Sequence, residues 1–383
     1  MNKNEWKKVK LENCANITMG QSPNSSSYNT NGEGIPFYQG NADFGDLYPK
    51  LRYFCTEPTK IANENDLLLS VRAPIGKINI ATTSCCIGRG LCSITPKENI
   101  IFQKYLYYIL KFKEKEFNSI GTGTTFKAIN KNQICETEFL LPNIEEQKKI
   151  TLILENSEKL LKLKKQQLSE FDKLVKFQFL KIFGDPILNE KNWKKIFLSD
   201  CCIINPKKNE IKLDDNFSLS FIGMADVSEK GKINTSNIKL YKKVKNGFTY
   251  FKENDVLFAK ITPCMENGKG GIAKNLYNKI GFGSTEFHVL RPIENISNSY
   301  WLYYLTMLPF FRKNAEKNMT GSAGQKRVPV TYFQKTLIAL PPIELQNKFA
   351  DFVKQVDKSK VELQKSIDET QLLFDSLMDK YFG

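Results

Sequence analysis

Amide, hydroxyl and guanidinium side chains set in glycine-bearing turns are the groups in this sequence best equipped to engage a ligand. In the first half they are Gln21 and Ser22 after Gly20, Gln39 and Asn41 around Gly40, Arg72 and Lys77 around Gly76, Arg89 between Gly88 and Gly90, and Thr124, Thr125 and Lys127 after Gly123. The second half carries Lys260, then Asn267 and Lys269 around Gly268, then Ser284, Thr285 and Glu286 after Gly283, and finally Ser322, Gln325, Lys326 and Arg327 after Gly321. Such groups supply the donors and acceptors that read base edges and hold phosphates, and glycine allows a close backbone approach. Three of only six arginines, Arg72, Arg89 and Arg327, lie in these turns. Arginine is the usual bidentate reader of guanine, so the placement favours nucleic acid.

Covalent chemistry finds no support. With one histidine, His288, the chain cannot build Ser-His-Asp centres in both halves or a multi-histidine metal site. The run Glu286-Phe287-His288-Val289-Leu290 alternates as a strand does, which predicts a structural, hydrogen-bonded imidazole. Gly76-Lys77 is followed by Ile78 and Gly268-Lys269 by Gly270, so neither is a phosphate-cradling loop of ATP hydrolysis. No Asn-Pro-Pro-aromatic segment of amino-methyltransferases occurs, and the nine cysteines contain no C-x-x-C pair. Neither a zinc cluster nor a disulfide framework is expected. Cys85-Cys86 and Cys201-Cys202 read as small buried hydrophobes.

Charge points the same way as the turns. Lysine and arginine total 56 against 41 acidic residues, a net charge of +15, which favours a polyanionic partner. Only six of the 56 are arginine in a chain also rich in Asn and Ile, so part of this charge follows composition. The absence of a membrane-length apolar run, and of an apolar stretch in the opening MNKNEWKK, predicts a cytoplasmic location. From the residues alone three readings stay open: a DNA-binding protein, a nucleic-acid enzyme with an unrecognised centre, and an adaptor that binds proteins through both halves.

The elements that must position these turns are repeated. Trp6-Lys7-Lys8-Val9-Lys10-Leu11 returns as Trp193-Lys194-Lys195-Ile196-Phe197-Leu198, an offset of 187. Asn65-Asp66-Leu67 returns as Asn254-Asp255-Val256, and Leu106-Tyr107-Tyr108 as Leu302-Tyr303-Tyr304, at offsets of 189 and 196. Leu141-Pro142-Asn143-Ile144-Glu145-Glu146-Gln147 matches Leu340-Pro341-Pro342-Ile343-Glu344-Leu345-Gln346, and Phe183-Gly184 matches Phe382-Gly383, both at 199. Divergent heads therefore sit on tails of equal length. In the tails a 3.5-residue stripe runs through 150, 154, 157, 161, 164, 168, 171, 175, 178 and 182, and again through 349, 353, 356, 360, 363, 367, 370, 374, 377 and 381. Most of these positions are apolar, which marks a coiled-coil seam on rods of roughly 60 Å. The expected class is α+β: mixed α/β heads at 1–141 and 185–340, each dominated by a curved sheet with one helical stretch (102–117 and 300–314), alternating with long helices at 142–184 and 341–383 that pack as an antiparallel coiled coil.

At these residues the chain resembles the specificity subunit of type I restriction-modification systems. The likeness rests on the alternation of two heads with two equal helices, the Pro-x-Ile-Glu-x-Gln helix entry and the Phe-Gly exit. It rests too on Gly20-Gln21-Ser22-Pro23, Arg72-Ala73-Pro74-Ile75-Gly76 and Ile87-Gly88-Arg89-Gly90-Leu91 in head one. Head two contributes Thr262 to Lys269, Ser284 to Pro292 and Gly321 to Pro329. The resemblance implies target-recognition domains that each read one half of a split, asymmetric DNA site, with no catalysis in this chain. It implies helices that fix the spacer and dock two adenine methyltransferase subunits, which nuclease/translocase subunits then join. S-adenosylmethionine, ATP and Mg²⁺ would belong to those partners.

Overall fold

Apolar residues bounded by Asn, Gly and Pro fold here as short strands, and each head assembles them in the same order. The structure, a computed structural model, describes residues 3–123, 127–186, 188–322 and 324–383. In head one Ala15–Met19, Leu91–Pro96, Leu67–Ser70 and Ile78–Ile80 lie side by side in that order, all antiparallel. Head two repeats this sheet with Cys202–Ile204, Phe287–Pro292, Val256–Ala259 and Gly270–Ile272. A second sheet per head holds one parallel pair, Ile35–Tyr38 with Cys85–Ile87 and Ser218–Ile222 with Ile280–Gly283. Antiparallel neighbours flank each pair, and head one adds the edge strand Tyr28–Asn29. A two-stranded ribbon, Lys7–Lys10 with Glu138–Leu141 or Lys194–Phe197 with Leu337–Leu340, closes each head beside its long helix.

Each head thus has two sheets and a ribbon where one dominant curved sheet was expected. The single helical stretch expected per head is also two helices, Gln103–Phe112 and Glu114–Ile120 in head one, Ser299–Met307 and Pro309–Lys317 in head two. In head two Leu308 is extended ahead of Pro309, which cannot continue the helix before it. In head one Lys113 leaves the helical region at ψ 0.

The repeated motifs have physical roles. Asn65 and Asn254 both take left-handed φ, 69° and 70°. The following aspartates, both buried, accept from the backbone N–H of Asn63 and Lys252 at 2.8 Å and so close the turn into the central strand. The glutamine of the helix entry is a clamp. Gln147 Oε1 accepts from Phe102 N at 2.7 Å while its Nε2 donates to the carbonyls of Pro142 and Ile100. Gln346 does the same with Asn298 N and the carbonyls of Pro341 and Ile296. Both amides are fully buried and satisfied.

The long helices span Ile144–Phe183 and Ile343–Phe382, and none of the twenty stripe positions is exposed. The chain divides into two compact units, residues 1–165 with 365–383, and residues 166–364. In the second unit Phe179 and Phe183 meet Phe349 edge-on at 5.4 Å, and Asp172 pairs with Lys360 at 2.6 Å, so the helix segments run in opposite directions. In the first, Lys164 donates to the hydroxyls of Ser366 and Thr370 at 2.7 Å, and Tyr105 packs on Phe382 and Tyr108 on Phe374. Each unit therefore draws on both long helices.

His288 is the buried structural histidine its strand setting predicted. Asn205 lies 3.0 Å from Nδ1, and Nε2 lies 2.8 Å from the Val328 carbonyl, to which it donates. Burial, aided by nearby Lys260, lowers its pKa to about 4. The unfolded chain takes up this proton near pH 6.5, so the stabilisation is complete above that pH and is lost as pH falls towards 4. Urea unfolding should show a loss of about 2 kcal/mol between pH 7 and 5 that His288→Asn abolishes; an equal slope in the variant would assign the loss to other groups.

Candidate nucleic-acid interface

Three turns at one end of each head's first sheet build the site, and backbone hydrogen bonds show that they are the same turns twice. In head one Val71 N donates to Gly90 O, Ile129 N to Val71 O, and Gly88 N to Tyr38 O. In head two Lys260 N donates to Glu286 O, Val328 N to Lys260 O, and Ser284 N to Ile222 O. Thr122 pairs with Ala128 as Thr320 pairs with Arg327, and cis peptides precede both Pro74 and Pro263. The turn after the central strand, the turn before the next sheet strand and the Thr-Gly hairpin thus converge on one edge.

In head one Ser22, Gln39, Asn41, Arg72 and Arg89 line a single cleft of about 420 Å³. Gly20 and Gly90 make this possible. A Cβ at Gly20 would lie 2.2 Å from Gly88 O and one at Gly90 2.5 Å from Gln39 O, so the chain could not close over the turn with any other residue there. Ser22 Oγ accepts from Arg89 N at 3.3 Å, and the guanidinium-bearing residues stand exposed at the rim. Gln21 is exposed, its carbonyl bonded to Thr59 Oγ1. Lys77 lies in an adjoining recess that shares Asn41, paired with Glu114 at 2.7 Å. Lys127 is exposed beside the Arg72–Ala128 bridge, and Thr124 and Thr125 lie outside the described residues.

Sequence reasoning missed two members of this cleft. Arg52 is exposed on its wall, 3.4 Å from Asp43, and Asp43 is buried, accepting from Gln39 N at 2.7 Å. Arg52 sits in no glycine-bearing turn, and its only signal was the scarcity of arginine; Asp43 closes the turn that begins at Gly40, where the amide side chains alone had been singled out. Of the six arginines Arg52, Arg72 and Arg89 surround one cleft, whereas Arg291 is committed to Asp255 and Arg312 is buried on the carbonyls of Thr306 and Met265.

Head two concentrates its charge differently. Arg327 forks onto Glu286, Nη2 to Oε1 and Nε to Oε2 at 2.9 Å, and gives Nη1 to the Gln325 carbonyl at 3.0 Å. The Arg327 hydrogen bonds hold Glu286 below the usual carboxylate range, and burial beside Arg327 lowers Lys260 from the usual lysine value. Ser284 Oγ accepts from Glu286 N at 3.2 Å, and Thr285 points outward as an exposed residue. Ser322, Gln325 and Lys326 are exposed on the hairpin, whose Lys326 carbonyl accepts from Thr262 N. Asn267 is exposed on the neighbouring turn, while Lys269 turns its ammonium inward to the Met224 carbonyl at 3.2 Å. Among the described residues no cluster of His, Cys, Asp and Glu could hold a metal ion, and no helix is long and apolar enough to cross a membrane.

Comparison with known proteins places this framework. The chain is similar to the putative type I restriction enzyme MjaX specificity subunit of Methanocaldococcus jannaschii, 39% identical over 174 residues, covering 45% of this chain and 41% of that protein. It is similar to the EcoAI specificity subunit of Escherichia coli, 39% identical over 191 residues, covering 49% of this chain and 32% of that one. The match thus spans well under half the length of either relative. The crystal structure of a type I restriction-modification S subunit from M. genitalium covers 100% of this chain and 98% of its own at a TM-score of 0.55 and 16% identity, a likeness of fold. The type I restriction modification DNA specificity domain matches residues 3–172 and again 190–370, so it is present twice, and the chain belongs to that family.

Proposed function

We propose that this chain is the DNA-reading subunit of a type I restriction-modification complex, that each head reads one half of a split target, and that the long helices form one antiparallel coiled coil setting the spacer. The observation that carries the reading is the repeated three-turn edge, whose backbone is shared while its side chains differ. A common frame with different readers suits an asymmetric target. The helices also dock two adenine methyltransferase subunits, to which nuclease/translocase subunits attach in the cytoplasm. The chain itself catalyses nothing, and S-adenosylmethionine, ATP and Mg²⁺ act on the partners.

Selection from random duplex DNA by the full-length chain, co-purified with its methyltransferase, tests this. Two conserved half-sites separated by a fixed unread spacer are expected, and replacing residues 185–340 by another head should change one half only. A single contiguous site, or no preference, would overturn the reading. Stoichiometric S-adenosylmethionine binding by the single chain would overturn its non-catalytic part.

A further inference from the structure

Superposing the two frames by their shared hydrogen bonds pairs Val71 with Lys260, Gly90 with Glu286 and Ala128 with Arg327. Head two places three charged groups where head one has none. Head one closes the same bridges without them, so the fold of the edge does not require the charges. Conversely, Arg72 and Arg89 occupy the positions of Ile261 and Thr285. At these five positions head one therefore offers only the donors Arg72 and Arg89, and head two offers a fixed carboxylate acceptor beside a guanidinium donor.

A carboxylate on a face that approaches phosphates works against binding unless it has a partner. Glu286 Oε1 and Oε2 accept three contacts from Arg327, at 2.9, 2.9 and 3.2 Å, and an ionised carboxylate has about four acceptor positions. Three of the five N–H groups of Arg327 are engaged, counting the Gln325 carbonyl, which leaves two. The pair thus presents an acceptor and a donor side by side, with side-chain exposures of 24% and 42%.

We infer that Glu286 and Arg327 act together as a base reader in head two, Glu286 accepting from an exocyclic amino group while Arg327 donates to the acceptor next to it. Two major-groove edges have that chemistry, the O6/N4 edge of a G·C pair and the N7/N6 edge of adenine. This assignment rests on the DNA-reading function proposed above. Lys260, whose backbone N–H donates to the Glu286 carbonyl, adds a second positive charge near the carboxylate.

The test is selection from random duplex DNA by the full-length chain with its methyltransferase, comparing wild type, Glu286→Gln and the double variant Glu286→Gly/Arg327→Ala. The double variant carries the residues that head one already tolerates in this frame, which guards against misfolding. Glu286→Gln should lower discrimination at one position of the head-two half-site by at least about tenfold and admit bases lacking the amino group. The double variant should lose preference at that position while the other half-site stays unchanged. Which wild-type base is enriched there separates the G·C edge from adenine. An unchanged base preference with altered overall affinity would overturn the inference, because the pair would then be a phosphate clamp or a support. A wild-type chain without any preference would instead overturn the function on which it rests.

Discussion

Insertion of one heptad into each long helix should abolish modification of the original target and create a preference for a spacer longer by roughly two to four base pairs, with both half-sites unchanged. The insertions belong between Lys165 and Gln166 and between Gln364 and Lys365, where the chain divides into its two compact units. Placed there, they leave the internal contacts of each unit untouched, including Phe179 and Phe183 on Phe349 and Lys164 on Ser366 and Thr370. Seven residues preserve the seam register and add about 10 Å of helix, close to three base-pair steps. The longer spacer also rotates one half-site about the duplex, and part of the affinity goes into twisting the DNA. Methylome sequencing of cells expressing the variant reads the result directly. An unaltered spacer would show that the helices do not set the distance.

Replacing Arg72 and Arg89 together by alanine should weaken recognition of the first half-site by about two orders of magnitude. Each bidentate contact to a base edge is worth roughly 1–3 kcal/mol, and the two side chains share one cleft with Gln39 and Asn41. Their exposure means that removal leaves no buried group unsatisfied, so the unfolding midpoint should not move. Binding measured on targets mutated in either half identifies the contacts. A loss confined to the first half-site marks base readers. A uniform loss with a salt dependence shallower by about two marks phosphate contacts. No loss on any sequence would remove the cleft from the interface.

The repeat, the long helices and their covered stripe were legible because they are periodic or contiguous. The 3.6-residue turn writes itself into the spacing of Ile150, Leu154 and Leu161, and Asn65-Asp66 and Gln147 recur with their surroundings intact. The candidate turns were legible as glycine-bearing loops, and the structure brings residues from four of those in head one to a single cleft. The sheet architecture was not legible, since strand pairing such as Phe37 with Cys86 joins residues far apart and leaves no periodic mark. The turns recur at matching places in both heads and follow the drift of the flanking repeats, since Val71 and Lys260 differ by 189, Gly90 and Glu286 by 196 and Ala128 and Arg327 by 199; the residue-by-residue pairing needed the backbone hydrogen bonds. The Arg327–Glu286 pair and the Arg52–Asp43 contact exist only once those loops are closed.

The division of the chain into units also sets an order of events during synthesis. The unit formed by 166–364 is contiguous and can complete itself as it leaves the ribosome, but the unit containing head one must wait for 365–383, which are made after the whole of the other unit. At about 5–20 residues per second, some 200 residues of further translation impose a delay of roughly 10–40 s. Throughout that interval Tyr105 and Tyr108 lack Phe382 and Phe374, and Lys164 lacks Ser366 and Thr370. Of the two heads, the one made earlier is therefore finished later, and a nascent chain stalled near residue 364 holds a completed second unit and an unsealed first one.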